Sequence, residues 1–183
     1  MVRKIFIEDT KLSLVQYTRD DDIDFYNCGR DIDTQKGFNY KRSDKPEIQD
    51  ISSQFPFTQN IEDYPFWAAI FSKENKKFIG VVRLSPPPYN DCDLAIWIYK
   101  PYRYMGFGTR AFYLGTKYCF ENLGIEVVGA GCYENNTASQ KMLKKIGFIR
   151  DKQNDSHETD AFTGEPIIQE AFIITKNNFH PIY

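Results

Sequence analysis

The stretch Arg103-Tyr104-Met105-Gly106-Phe107-Gly108-Thr109-Arg110-Ala111 is the part of this sequence best suited to chemistry on an anion. It follows a strand-like run and opens a helical one. Main-chain N–H groups at a helix start lack intrahelical partners, point outward and attract phosphate. Glycines let a phosphate come close to the backbone because no Cβ stands in the way. The Arg103 guanidinium adds a charged fork. A P-loop is excluded, since no Gly-Lys-Ser/Thr follows the glycines. Gly106-x-Gly108-x-x-Ala111 formally matches the dinucleotide fingerprint, which would imply an oxidoreductase. That motif, however, should follow its strand almost at once and be answered by an acidic residue ending a second strand about 20 positions on. Here Pro101 and further residues separate Tyr99 from Gly106, and Glu126 begins a strand instead.

The third reading is the R-x-x-G-x-G/A turn that cradles the pyrophosphate of coenzyme A, and the surroundings favour it. Asp93-Leu94-Ala95-Ile96-Trp97-Ile98-Tyr99 with the turn up to Gly108 resembles the fourth strand and following turn of the GNAT acetyltransferase superfamily. Asn136-x-x-Ser139 followed by Lys145-x-Gly147-Phe148 is similar to a second segment of that superfamily, in the right order and at the right spacing. The Ser three residues after Asn136 most resembles the branch holding the ribosomal-protein N-terminal acetyltransferases.

The resemblance implies an N-acetyltransferase that moves the acetyl group of acetyl-CoA to a primary amine, with no metal. It implies that the pantetheine arm pairs along Ile96, Trp97 and Ile98, that Arg103, Tyr104, Met105, Gly106, Phe107, Gly108 and Thr109 hold the diphosphate, and that Asn136 belongs to the cofactor site. Asp93 aligns with an acidic position early on that strand and is the candidate base, against a reading as a surface carboxylate near a turn. Many members place a Tyr seven residues after the Asn as the thiol's proton donor. This chain has Leu143 there, so Ser139 is the preferred acid and Tyr133 a substitute. Read without the resemblance, Asn136 is a helix cap, Ser139 a helix-surface hydroxyl, and Gly147-Phe148 a helix stop with a core ring. The acceptor would be a protein N-terminal α-amine or a small amine (a polyamine, an aminoglycoside or an amino-acid derivative), lying between the N-terminal helix with the 41–65 loop and the acidic 150–166 loop. That loop carries Asp151, Asp155, Glu158, Asp160 and Glu165. A rival of another class is a non-catalytic acyl-CoA-binding module, since Leu143 removes one expected catalytic group.

The elements that must position these groups are legible in outline. The periodicities predict a strand at 12–17, a helix carrying Ile23, Phe25 and Tyr26 that stops near Gly29, and a loop or short helix with loops over 41–65. A hairpin follows at 66–71 and 78–84, ended by Pro86-Pro87-Pro88. Then come a strand at 94–99, a helix from Phe107 to about Asn122, a strand at 125–133, and a helix capped by Asn136 or Thr137 and stopped by Gly147. Phe148-Ile149 and 167–175 read as a final strand pair around a polar loop. The expected fold is α/β: a single domain over 1–183, core motifs at 91–150, and a mixed, mostly antiparallel sheet. The family resemblance adds splayed central strands with flanking helices.

Composition fits that picture. The 183 residues carry 26% charged and 42% hydrophobic residues, ordinary globular values that exclude a disordered or fibrous chain. Aromatics at 16% predict a ring-rich core, and a net charge of −2 argues against a nucleic-acid binder relying on bulk charge. Two histidines make a histidine-based metal site untenable. The four cysteines show no C-x-x-C pair and read as reduced thiols, three of them small buried hydrophobes. No apolar run is long enough for a signal peptide or a membrane span, so a cytoplasmic protein without a membrane partner is expected, with room for a homodimer.

Overall fold

The computed structural model describes residues 3–41, 66–85 and 93–183. Of the expectations above, most of the 41–65 loop, the triple-proline turn and Cys92 lie outside these described residues.

Runs of β-branched and aromatic residues build two sheets. In the first, β1 (Ile5–Glu8), β2 (Leu12–Gln16), β3 (Trp67–Ser72), β4 (Phe78–Leu84) and β5 (Leu94–Ile98) lie in chain order, each antiparallel to its neighbour. In the second, β9 (Pro166–Thr175) pairs with β6 (Val127–Tyr133) along one edge and with β7 (Ile149–Arg150) and β8 (Ser156–Thr159) along the other, all antiparallel. One parallel bridge, Asp93 to Gly129, is the only pairing between the two sheets among the described residues. Beyond it β5 and β6 diverge, which is the splay expected from the family resemblance.

Helices cover the first sheet on both faces. On one, α1 (Asp22–Gly29) packs Phe25 and Cys28 against Trp67, Ala69 and Val81, and α2 (Ile32–Gly37) follows it directly. On the other, α3 (Phe107–Asn122) and α4 (Thr137–Ile146) bury Ala111, Phe112, Cys119, Leu143 and Ile146 with Leu14, Ile70, Val82 and Leu94. Gly115 lets α3 approach closely, since a Cβ there would stand 3.2 Å from both Leu94 and Val82 side-chain carbons. Gly147 ends α4 at φ +108°, a left-handed conformation that suits glycine.

Three elements differ from the sequence expectation. β1 and α2 were not anticipated, and the polar loop after β7 contains β8. Ser156-His157-Glu158-Thr159 has no apolar alternation, and it is a strand because β9 offers it an edge. The strength of α2 is in its cap: the Asp31 carboxylate accepts hydrogen bonds from the Asp33 and Thr34 amides, both at 3.2 Å.

Asp31 also ties α2 to the loop after β5. Arg103 donates two parallel bonds to its carboxylate, at 2.8 and 2.7 Å, and a third from Nε to the Ile98 carbonyl at 2.9 Å. Burial alone pushes the Asp31 pKa up, but the bonds from Arg103 and Thr34 outweigh it and hold the carboxyl below its usual value. A carboxyl lowered on folding contributes stability above its unfolded pKa and loses it as pH falls through the lowered folded value. Asp31→Asn is therefore expected to lower the urea midpoint at pH 7. The deficit relative to the parent should persist down to pH ~4 and close below it. A deficit of the same size at pH 2.5, or none at pH 7, would contradict this.

Candidate active site

The divergence of β5 from β6 leaves main-chain groups without sheet partners, and the register identifies which. Tyr99 N–H donates to Ile79 O at 2.7 Å, and Ser85 N–H donates to Asp93 O at 2.9 Å. With Val81 opposite Trp97 and Arg83 opposite Ala95, odd-numbered β5 residues turn their amides and carbonyls toward β4. Leu94, Ile96 and Ile98 turn theirs toward the opening. Leu94 adjoins the Asp93–Gly129 bridge, where the strands are still together, and the Ile98 carbonyl is taken by Arg103; beyond the bridge the Ile96 N–H and C=O and the Ile98 N–H face the cleft. The Trp97 main chain is engaged with β4, so its contribution to the cleft is through the indole.

Below this edge lies a cavity of about 550 Å³. Asp93, Ile96, Trp97, Asn136 and Ser139, separated by more than 40 positions in sequence, all line it. Asp93 sits at the vertex where the sheets part. Gly129 makes room for it, since a Cβ at 129 would collide with the Asp93 carboxylate. Asn136 caps α4 by accepting from the Ser139 amide at 3.2 Å, so its cap role coexists with its place on the wall. The Ser139 hydroxyl has no hydrogen-bond partner among the described residues and does not bond back along its helix. Leu143, where the family resemblance leads one to look for a Tyr, is 1% exposed and packs in the core at the cavity edge.

Tyr133 also reaches the cavity, but its phenol donates to Glu158 Oε2 at 2.7 Å. Burial first, and then that bond, push its pKa up to about 12. The hydroxyl is already committed, and Ser139 is the freer donor.

The glycine turn lies at one end of the cleft. Tyr104 at φ +61° and Gly106 at φ +81° alternate with residues of ordinary hand, and Tyr104 is 96% exposed. A left-handed conformation costs a non-glycine residue roughly 1–2 kcal/mol, and alternation of hand along the backbone is the pattern of anion-binding nests. Among the described residues no side chain caps α3 and the amides of Phe107, Gly108 and Thr109 at its start have no partner. Gly108 faces Ile98 and Met142, the latter on the cavity wall. The Arg103 fork is engaged with the half-buried Asp31 carboxylate. It acts as a brace between the turn and α2.

Three acids of the 150–166 loop have partners within the protein. Asp155 pairs with Arg150, Glu158 accepts from Tyr133 and from Asn39, and Asp160 accepts from the Phe162 and Thr163 amides. These acids hold the β8–β9 hairpin and dock it on the end of α2. The far wall of the cavity is formed by residues that sequence reasoning missed. Gly37, Phe38 and Tyr40 come from α2 and its exit, and Arg83 from β4. The only sequence signal for α2 was a capping Asp at 31 with Thr34 three residues on.

Comparison with known proteins agrees with this geometry. A family model described as an acetyltransferase (GNAT) domain matches residues 11–149. No curated protein sequence matches the chain significantly. Among solved structures, a GNAT-family acetyltransferase from Bacillus anthracis superposes with a TM-score of 0.74 at 15% identity, over 93% of this chain and 98% of that one. Spermidine N-acetyltransferase from Vibrio cholerae, in complex with CoA and spermine, gives 0.74 at 15% identity over 93% and 98%. The ribosomal L7/L12 alpha-N-protein acetyltransferase RimL gives 0.73 at 13% identity over 96% of each chain. The family match spans well over half of the chain and coincides with the splayed strands and the glycine turn, and the protein belongs to the GNAT acetyltransferase family.

Proposed function

We propose that this enzyme transfers the acetyl group of acetyl-CoA to a primary amine by direct attack, with a protein N-terminal α-amine as the first acceptor class. The observation that carries the reading is the unpaired β5 edge, which runs from the open amides of α3 to the Asp93 vertex. The groups present suit the carrier: open amides for a diphosphate, a bare strand edge for an amide-bearing arm, and a cleft beyond.

The thioester supplies an activated carbonyl carbon and a thiolate leaving group. The Ile96 or Ile98 N–H is the donor available to stabilise charge developing on the carbonyl oxygen, an effect worth about 3 kcal/mol for one well-placed donor. Asp93, directly or through water, accepts the proton that the attacking ammonium must lose. The Ser139 hydroxyl donates a hydrogen bond to the departing sulfur, and the second proton lost by the nitrogen passes to the thiolate through solvent to give the free thiol. The cleft walls hold the two reactants side by side, which lowers the barrier further.

An α-amine suits a site with one carboxylate as base. At pH 7 roughly a tenth of α-amines are unprotonated, against fewer than one in a thousand lysine-type amines. The second reading, a small amine, draws on the cavity size, which lies within the ~300–1,000 Å³ usual for small-molecule sites.

Thiol release from acetyl-CoA, measured over peptides with varied N-termini and a panel of small amines, tests the function. Release with at least one class is expected, and acetyl-CoA binding without any release would leave a binding module instead. Gly108→Asp should weaken acetyl-CoA binding more than 100-fold by setting a carboxylate at the helix start, and retained affinity would refute the turn assignment. Asp93→Asn should lower turnover about 100-fold at neutral pH, with a smaller loss at high pH where the amine is already unprotonated. A pH–rate profile of unchanged shape would remove Asp93 from proton transfer. Ser139→Ala should slow turnover several-fold, and parental turnover would show the hydroxyl to be a bystander.

A further inference from the structure

Resting on the acetyl-transfer reading, we propose that the acceptor carries a carboxylate beside its amine and that Arg83 is the residue that recognises it.

Arg83 lies on the face of β4 that lines the cavity. Its guanidinium is clamped between two indoles, with the Trp67 ring 5.4 Å and the Trp97 ring 5.3 Å from Cζ. The clamp is backed on both sides. Tyr17 stacks on Trp67 at 5.0 Å, and Phe38 stacks on Trp97 at 4.5 Å with ring planes 7° apart. A guanidinium covered on both faces bonds through its planar edge, the geometry that reads a carboxylate. It carries five N–H donors, enough to serve a protein partner and a ligand anion together.

Register sets the spacing. Arg83 is opposite Ala95, and Asp93 is two residues along the same face of β5. Diagonal neighbours of this kind are roughly 7 Å apart, and the small Ala95 leaves the space between them open. Among the described residues that line the cavity, Arg83 and Asp93 are the only charged ones. One anion to receive an ammonium and one cation a few bonds away match an amine that bears a single carboxylate. A polyamine would bring further ammonium groups to a wall whose described residues offer no carboxylate besides Asp93; of the acids in the 150–166 loop, none lines the cavity, and Asp155, Glu158 and Asp160 are engaged in holding the hairpin.

The same chemistry occurs in a free amino acid and in a peptide whose first residue is Asp or Glu, and paired acceptors separate the two sources. One arm compares short ω-amino acids of increasing length with their carboxamides. The other compares peptides beginning with Asp or Glu with the same peptides beginning with Asn or Gln. Thiol release from acetyl-CoA should favour the carboxylate member of at least one arm about tenfold or more in kcat/KM. Arg83→Gln should bring that ratio toward one, whatever its effect on the absolute rate, and Arg83→Lys should restore part of it. A purely structural role for Arg83 would lower both members of each pair together and leave the ratio intact. Equal rates within both arms in the parent protein, a ratio that survives Arg83→Gln, or a preference for spermidine over both arms would each overturn the proposal. Should Arg83→Gln fail to fold, the parent protein and Arg83→Lys still decide it. Absence of release with every amine would instead overturn the acetyl-transfer reading on which the inference stands.

Discussion

The structure turns on two strands that start together and do not stay together. β5 and β6 share one bridge, Asp93 to Gly129, and then part. A polar main-chain group left without a partner away from water costs about 1–3 kcal/mol, so folded chains rarely leave such an edge open. Here the opening holds a cavity, and the edge presents two amides and a carbonyl to it. Gly129 leaves room for the Asp93 carboxylate at that bridge, since a Cβ there would force the carboxylate to shift.

The surrounding elements keep the opening in shape. α3 packs tightly against the first sheet through Gly115, so its uncapped N-terminus is held at the end of the β5 edge. Arg103 fixes the connecting loop to the cap of α2 and occupies the last outward carbonyl of β5. α2 in turn carries Gly37, Phe38 and Tyr40 to the far wall, where Asn39 is bonded to the β8–β9 hairpin. The two walls of the cleft are therefore mechanically linked through one guanidinium and one short helix.

Much of this was legible in the residues. The hairpin of β3 and β4, the span of α3, the Asn136 cap and the Gly147 stop follow from local periodicity and from glycine and asparagine chemistry, which act over a few positions. The glycine turn and Asn136–Ser139 were legible because their spacing is fixed by a strand-to-helix turn and a helix start. What escaped was set by distant partners. β8 exists because β9 has an edge, and α2 has too few apolar residues to announce itself. The Arg103–Asp31 brace was not legible because the two residues are 72 positions apart. The indole clamp on Arg83 depends on the register of three strands, which no short window contains. Trp97 could be placed on the cleft strand by sequence, but the direction of its amide required the pairing parity of β4 and β5.

That parity also provides the most direct test. Amide hydrogen exchange, followed residue by residue along β5, should find Trp97 protected by β4 and Ile96 and Ile98 fast in the free protein. Saturating acetyl-CoA should slow Ile96 or Ile98 markedly while changing Trp97 little. Ile96 and Ile98 amides as slow as Trp97 before any addition, or indifferent to acetyl-CoA, would contradict the account.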